Sequence, residues 1–479
     1  FIDGNGEKLD NYNRYRDDYL LYRANQSIPI NGRNGLWKFW TRKEKSLSEI
    51  SFKDGKRDGP AIFWYENGKK EIEGFYKEGM MDGTWTFYYE NGEKKVKGSY
   101  LNGNGEDIND TWNIPMNGKD SIWIFWMENG KEKYYRSFKK GKLNGRYRNR
   151  YNNGKKAIET FYINDSLNGS YTTWYENGKK KEERIYNNQK LNGLSTKWYE
   201  NGKKKEVITY INNKENGSVT SWYENGRKEK EATLKDGKEN GMFIGWYENG
   251  TKAVEGIFKE GKKDGPFTFW YNNDIMLNQG QYVDDKKNGK WIYWDLDSRI
   301  NEEITYEYDI EKIKTKFNYW ENGNIKSKEN YYFNSESDWV FNGYIVTNYE
   351  NGKKSEEGFY LDGEKDSLWT FYNNKEQKIS EIYYNNGSKT IYTTYEFWEN
   401  GNMRLMKSYK KIKLDGLYTS WYENGYKKEE GLYVNGKKND YWNYYWENGK
   451  NKVQVEYSDG ARNGSYILYY ENEQKQFQG

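Results

Sequence analysis

From Gly178 to Tyr199 the chain reads as a polar run, Lys180 to Tyr186, a loop, Asn187 to Gly193, and a second run, Leu194 to Tyr199. Neighbouring residues within each run differ in character, so each is expected to form a strand with two unlike faces. The pattern returns with a fixed period. Gly130, Gly154, Gly178, Gly202, Gly226 and Gly250 follow one another at 24 residues, and five of the six come after Glu-Asn. A second series in the same phase, Gly145, Gly169, Gly193, Gly217, Gly241, Gly265 and Gly289, follows Asn or Asp each time. Two turn signals per period predict two strands per period, which makes the chain a β-hairpin repeat array.

The first glycine series is taken as structural turns. Asn-Gly suits a two-residue type I′ hairpin turn, in which both residues take positive φ; a three-residue loop with a Gly bulge is the competing turn and shifts the pairing by one. In the type I′ register, Glu176 and Lys179 flank their turn as a cross-strand ion pair. Tyr65, Lys70, Gly74 and Tyr76 then share one face, and Ile62, Trp64, Glu73 and Phe75 the other. On this reading Trp174, Trp198, Trp222 and Trp246 form the core of a thin sheet. Tyr175, Tyr199, Tyr223 and Tyr247, beside Lys180, Lys204 and Lys228, form the candidate binding row, suited to an extended protein segment or a sugar chain.

The array is counted as about eighteen units over residues 36–479. It has an inserted loop near 101–116, where the interval from Gly92 to Gly130 is 38 residues, and an irregular segment near 295–320. The interval from Gly323 to Gly352 is 29 residues. Residues 1–35 are expected to be an incomplete repeat and a short helical cap, with Tyr12, Tyr15, Tyr19 and Tyr22 on one helix face. The predicted fold is therefore all-β: an elongated, open antiparallel meander or solenoid of hairpin repeats.

Composition narrows the chemistry. Hydrophobic residues are only 34% of the 479, and aromatics alone are 19%, so rings must supply most of the buried surface. There is no Cys and no His, which removes disulfides, thiol and Ser-His-Asp catalysis and nearly every zinc, copper or haem site. The 77 basic and 73 acidic residues are interspersed, so no field favours nucleic acid. No run approaches the roughly 18 apolar residues of a transmembrane helix. Glu159, Glu183, Glu231 and Glu255 recur at one repeat position, and a ladder of equivalent carboxylates lacks the asymmetry of a glycosidase pair. Glu106, Asp107, Asn109 and Asp110 in the insertion lack the alternation of a calcium loop and read as a solvated acidic loop. No metal and no cofactor is expected, and the chain is expected not to be an enzyme.

The unit Trp-Tyr-Glu-Asn-Gly, unchanged in the copies ending at Gly68, Gly178, Gly202, Gly226, Gly250 and Gly425 and followed by Lys-Lys in several, resembles the bacterial variant of the membrane occupation and recognition nexus (MORN) repeat. The resemblance implies consecutive β-hairpins in an elongated twisted sheet; bacterial members are often labelled antitoxin components, and eukaryotic ones are linked to lipid binding, scaffolding and dimerisation. The expected function is a non-enzymatic, secreted or surface-exposed repeat scaffold for adhesion or protein assembly. A first residue of Phe1, not Met, points towards a processed secreted product. Self-association through an uncapped C-terminal edge, ending Tyr469-Tyr470-Glu471-Asn472, would build head-to-tail polymers. The alternatives are an intracellular antitoxin or immunity protein that binds a toxin, and a glycan-binding aromatic repeat module.

Overall fold

The computed structural model describes residues 33–40, 46–105, 112, 114–333 and 339–479. Those residues form 38 strands, no helix, and a single antiparallel sheet. The expected capping helix, with Tyr12, Tyr15, Tyr19 and Tyr22, lies outside the described residues, as do Glu106, Asp107, Asn109 and Asp110. The chain divides into two compact units, one running to Lys252 and including Phe258–Gly261, the other made of Ala253–Ile257 and Lys262–Gly479.

Within the first unit successive strands pair antiparallel in chain order, with Lys190–Leu191 and Gly193–Trp198 together pairing with Lys180–Asn187. Lys156–Ile163, for example, runs antiparallel to Lys142–Arg150 on one side and to Ser166–Trp174 on the other. The Asn-Gly turns are not type I′. In the turn at Gly68, only the glycine has positive φ, at 83°. The Gly68 N–H donates to the Tyr65 carbonyl at 2.9 Å, and the Tyr65 N–H to the Lys69 carbonyl at 2.8 Å. Asn67 stays outside the left-handed region because its Oδ1 is used locally, accepting the Lys69 N–H at 2.9 Å. The loop is thus three residues closed by a left-handed glycine, and the competing turn is the one present.

This changes the register. Trp64 pairs with Lys70 but Phe63 with Ile72, so Glu71 is the extra residue of a bulge. The bulge moves the Lys two residues after the turn glycine to the Trp face. Ile62, Trp64 and Glu73 do share a face, as expected, while Gly74 and Tyr76 lie on the other with Ala61, Phe63 and Ile72. True two-residue turns with positive φ at both positions occur at the opposite end of the hairpins, as at Asn188 and Gln189 or Asn212 and Asn213. The second glycine series, placed by the sequence in that loop, sits inside the following strand instead. Gly217 (φ 94°) lies where the register with Lys204–Ile211 breaks between Ile208 and Tyr210.

The core lies on the Gly74 face. The glycine six residues after a turn leaves room for an aromatic ring from the next hairpin, seven residues before its turn, to lie flat on the backbone. A Cβ on Gly74 would stand 2.1 Å from the Trp85 ring, and one on Gly98 would stand 2.0 Å from Trp123. Each indole N–H donates to a strand carbonyl, Trp85 to Phe75 and Trp123 to Ser99, both at 3.1 Å. Edge-on tyrosines close the side: Tyr76 at 4.9 Å from Trp85 and Tyr100 at 4.8 Å from Trp123. The second unit repeats the device with Gly280 and Trp291, Gly358 and Trp369, and Gly431 and Trp442, each indole being fully buried. Lysines cap these rings, Lys365 at 3.6 Å from Trp369 and Lys438 at 3.7 Å from Trp442. The expected core tryptophans, Trp174, Trp198, Trp222 and Trp246, are only half-buried on the opposite face.

Both irregular regions keep the meander. Around the insertion, the Tyr100 hydroxyl donates to the Pro115 carbonyl at 2.7 Å and Ile114 is buried. Trp112 packs edge-on against Phe125 and Tyr134, so the insertion adds to the core of the first unit and is not only a solvated loop. Near 295–320, Ile300–Glu307 and Ile310–Tyr319 pair as an ordinary hairpin. There Asp295 replaces the turn tyrosine, accepting the N–H groups of Asp297 and Arg299 at 2.9 Å each.

Candidate functional site

The residues expected to form the binding row are all in the first unit, where four neighbouring repeats are nearly identical. Their tyrosines are tied into a ladder of turns. The hydroxyls of Tyr175, Tyr199 and Tyr223 donate to the carbonyls of Trp198, Trp222 and Trp246 at 2.8, 2.7 and 2.6 Å. Burial raises the pKa of each, with nearby Glu carboxylates adding to the effect, so they remain donors. Tyr247 takes the same turn position, its N–H donating to the Thr251 carbonyl at 2.9 Å. Asn177 Nδ2 donates to the Glu200 carbonyl at 2.9 Å and Lys179 Nζ to the Asn201 carbonyl at 2.6 Å. Lys179 therefore reaches to the next turn, in place of the expected pair with Glu176.

Lys180, Lys204 and Lys228 do not flank these tyrosines, because the bulge turns them to the other face. They lie over the half-buried indoles of the next repeat: Lys180 at 5.5 Å from Trp198, Lys204 at 5.9 Å from Trp222, and Lys228 at 5.5 Å from Trp246. Lys181 and Lys205 cover Tyr175 and Tyr199 instead, at 5.6 and 5.4 Å. Lys180 also pairs with Glu183 at 3.0 Å. The result is a ribbon of alternating indole and ammonium groups held by cation–π contacts, with Lys180 and Lys228 also in ion pairs with Glu183 and Glu231. Glu159 shows the electrostatic consequence: burial works against ionisation, but Lys156 at 2.7 Å, with Arg146 and Arg148, brings its pKa below the usual carboxylate value.

A second feature escaped the sequence reading. Over Arg136 to Ser195 the core face loses its seats: Arg136, Thr160 and Arg184 replace the seating glycine, and Tyr147, Tyr171 and Ser195 replace the seated ring. A cleft of about 490 Å³ opens there. Comparing the residue six after one turn with that seven before the next reveals the missing seats, but Ile208 with Val219 and Ala232 with Phe243 lack them too and pack as core, so the cleft has no sequence signal of its own.

Six segments of the chain, residues 57–78, 81–102, 167–188, 191–212, 315–331 and 414–435, match the MORN repeat variant. No curated protein matches the chain. Among solved structures, 92% of the chain is similar to 28% of a chain in a crystal structure of TcdB2-TccC3-Cdc42, at 9% identity and a TM-score of 0.18. In that of TcdB2-TccC3-TEV, 92% of this chain covers 26% of the other at 10% identity and 0.21. In the Photorhabdus luminescens Tc holotoxin pore the figures are 91%, 26%, 10% and 0.18. The chain thus spans under a third of the length of these structures, and scores this low carry no argument about function.

Proposed function

Taking the hairpins as MORN-variant repeats, we propose that the chain is a non-enzymatic scaffold whose indole–ammonium ribbon binds an extended segment of a partner protein. The observation that carries this is the ribbon itself: Trp198, Trp222 and Trp246 with Lys180, Lys204 and Lys228 recur at one repeat spacing on a half-exposed face. Amphipathic rings already fixed by neighbouring cations bind with little loss of side-chain freedom. Tyr175, Tyr199, Tyr223 and Tyr247 serve this surface by holding the turns in line. Catalysis has no support in such a row, since Glu159, Glu183 and Glu231 are each tied to the lysine three residues before them and none, among the described residues, stands beside a second carboxylate as an acid–base pair would. A secreted or cell-surface location, with adhesion or assembly as the task, is the setting proposed for this scaffold.

The test compares the parent chain with W198A/W222A as bait for proteins of the producing cells and their culture medium, with crosslinking and mass spectrometry as readout. A partner held by the parent and lost by a double variant of unchanged melting temperature is expected. Equal capture by both would refute the ribbon as the binding face.

A further inference from the structure

The cleft on the core face has a composition that the ribbon lacks. Its lining is apolar at Phe138, Leu143 and Ile158 and also carries Tyr147, Tyr162 and Tyr171. The tyrosines sit in edge-on pairs, Tyr147 with Tyr162 at 5.7 Å and Tyr171 with Tyr186 at 5.9 Å. The hydroxyl of Tyr147 is raised in pKa by burial, against the pull of Arg136 beside it, so it stays protonated.

Arg136 is the unusual member. Its guanidinium lies 4.8 Å from the Phe125 ring, 4.7 Å from Tyr134 and 5.8 Å from Tyr147. Nearby arginines all have carboxylates: Arg146 pairs with Glu159 at 3.1 Å, Arg148 with Glu132 at 2.7 Å, Arg150 with Glu132 at 3.2 Å, and Arg184 with Glu182. Arg136 has no carboxylate among the described residues, and its buried Nε has no protein acceptor. Two further buried polar atoms lack a partner: Asn149 Oδ1 on the adjacent strand, where Asn149 pairs with Tyr134, and Thr160 Oγ1 one strand further, where Thr160 pairs with both Tyr147 and Tyr171. A planar guanidinium held between rings and lacking an anion is arranged to take a carboxylate.

We propose that this cleft binds an extended acidic peptide of a partner protein, a Glu or Asp carboxylate pairing with Arg136 while an adjoining apolar side chain lies on Phe138, Leu143 and Ile158. A cavity of about 490 Å³ holds a few side chains, within the ordinary range for a binding pocket. Asp165 also lines it, with its Oδ1 accepting the Leu143 N–H at 2.7 Å, so the incoming carboxylate is directed to Arg136. A neutral glycan would leave that cation unpaired and cover the apolar part of the lining with hydroxyls. The inference does not depend on the ribbon, which lies on the opposite face.

The test uses the full chain and synthetic hexapeptides in which one Glu adjoins Phe, Leu or Tyr, each with a matched Gln peptide, and cellohexaose as the sugar control, all by calorimetry. At least one acidic peptide should bind saturably, about tenfold tighter than its Gln counterpart, the size expected when a charge-assisted pair is lost. Arg136→Gln should abolish that difference. If the variant fails to fold, a benzoylphenylalanine version of the peptide on the unaltered chain decides the place: crosslinks must fall on the strands Glu132–Lys139 to Ser166–Trp174. No acidic preference anywhere in the set, unchanged discrimination by a folded Arg136→Gln, crosslinks elsewhere, or preference for cellohexaose would each overturn the proposal.

Discussion

At the scale of the residue, the pairing of a missing Cβ with a large ring does most to specify the core. Gly98 has a backbone that any residue adopts, so its substitution acts only through Trp123, whose ring a Cβ would meet at 2.0 Å. Gly98→Ala should cost about 1 to 3 kcal/mol by overpacking, and Trp123→Ala about 3 to 5 kcal/mol by loss of a buried ring. The double variant should cost less than the sum, since the methyl then occupies vacated space, and a denaturation cycle that adds up would sink the seat. Glu357 offers a different test. Burial pushes its pKa up, but hydrogen bonds from Lys354, Tyr344 and Tyr372 outweigh this and hold it at about 2. A depressed carboxylate contributes stability that is fully present above its unfolded pKa of about 4.3 and is lost as pH falls through the folded value. The second unit should therefore weaken between about pH 5 and pH 2, and Glu357→Gln should flatten that part of its melting-temperature profile; an unchanged acid limb counts against the network.

At the scale of the element, each hairpin is closed by its own turn and tied to the next. Asn201 does both: its Oδ1 accepts the Lys203 N–H at 2.9 Å and its Nδ2 donates to the Glu224 carbonyl at 3.0 Å. Asn201→Ala should cost about 1 to 3 kcal/mol, two hydrogen bonds' worth, and hydrogen exchange should quicken at the turns of Tyr199 and Tyr223 together. Quickening at the first turn alone would mean that the ladder does not couple repeats. The Asn-Gly signal made the turns legible but not their type, because type I′ and the three-residue loop accept the same two residues. Only the pairing of Trp64 with Lys70, followed by the bulge at Glu71, separates them, and it transfers Lys180, Lys204 and Lys228 from the tyrosines to the indoles.

For the whole molecule, stability is expected to follow the repeats, each supported by its neighbours. The last strand, Lys475–Gln478, is exposed at every residue and pairs, among the described residues, with Ala461–Tyr469. If the expected head-to-tail association occurs, light scattering should show a mass that grows with concentration over about two decades, and Phe477→Pro should suppress it by blocking the ladder; a constant monomer mass refutes polymerisation. The insertion near 101–116 shows how a departure from the period can serve the core, since Ile114 and Trp112 pack into it while nothing in their spacing announces burial.

The period, the two strands per repeat, the sites of the Asn-Gly turns in the first series and the exclusion of His and Cys chemistry follow from the order of residues alone, because each depends on neighbours within a few positions or on composition. The buried face, the seating of Trp85 on Gly74 and the cleft at Arg136 were decided only in three dimensions. A strand's faces are set by its register, and one bulged residue exchanges them. Seats and cleft join residues of successive hairpins, so neither partner carries the signal by itself.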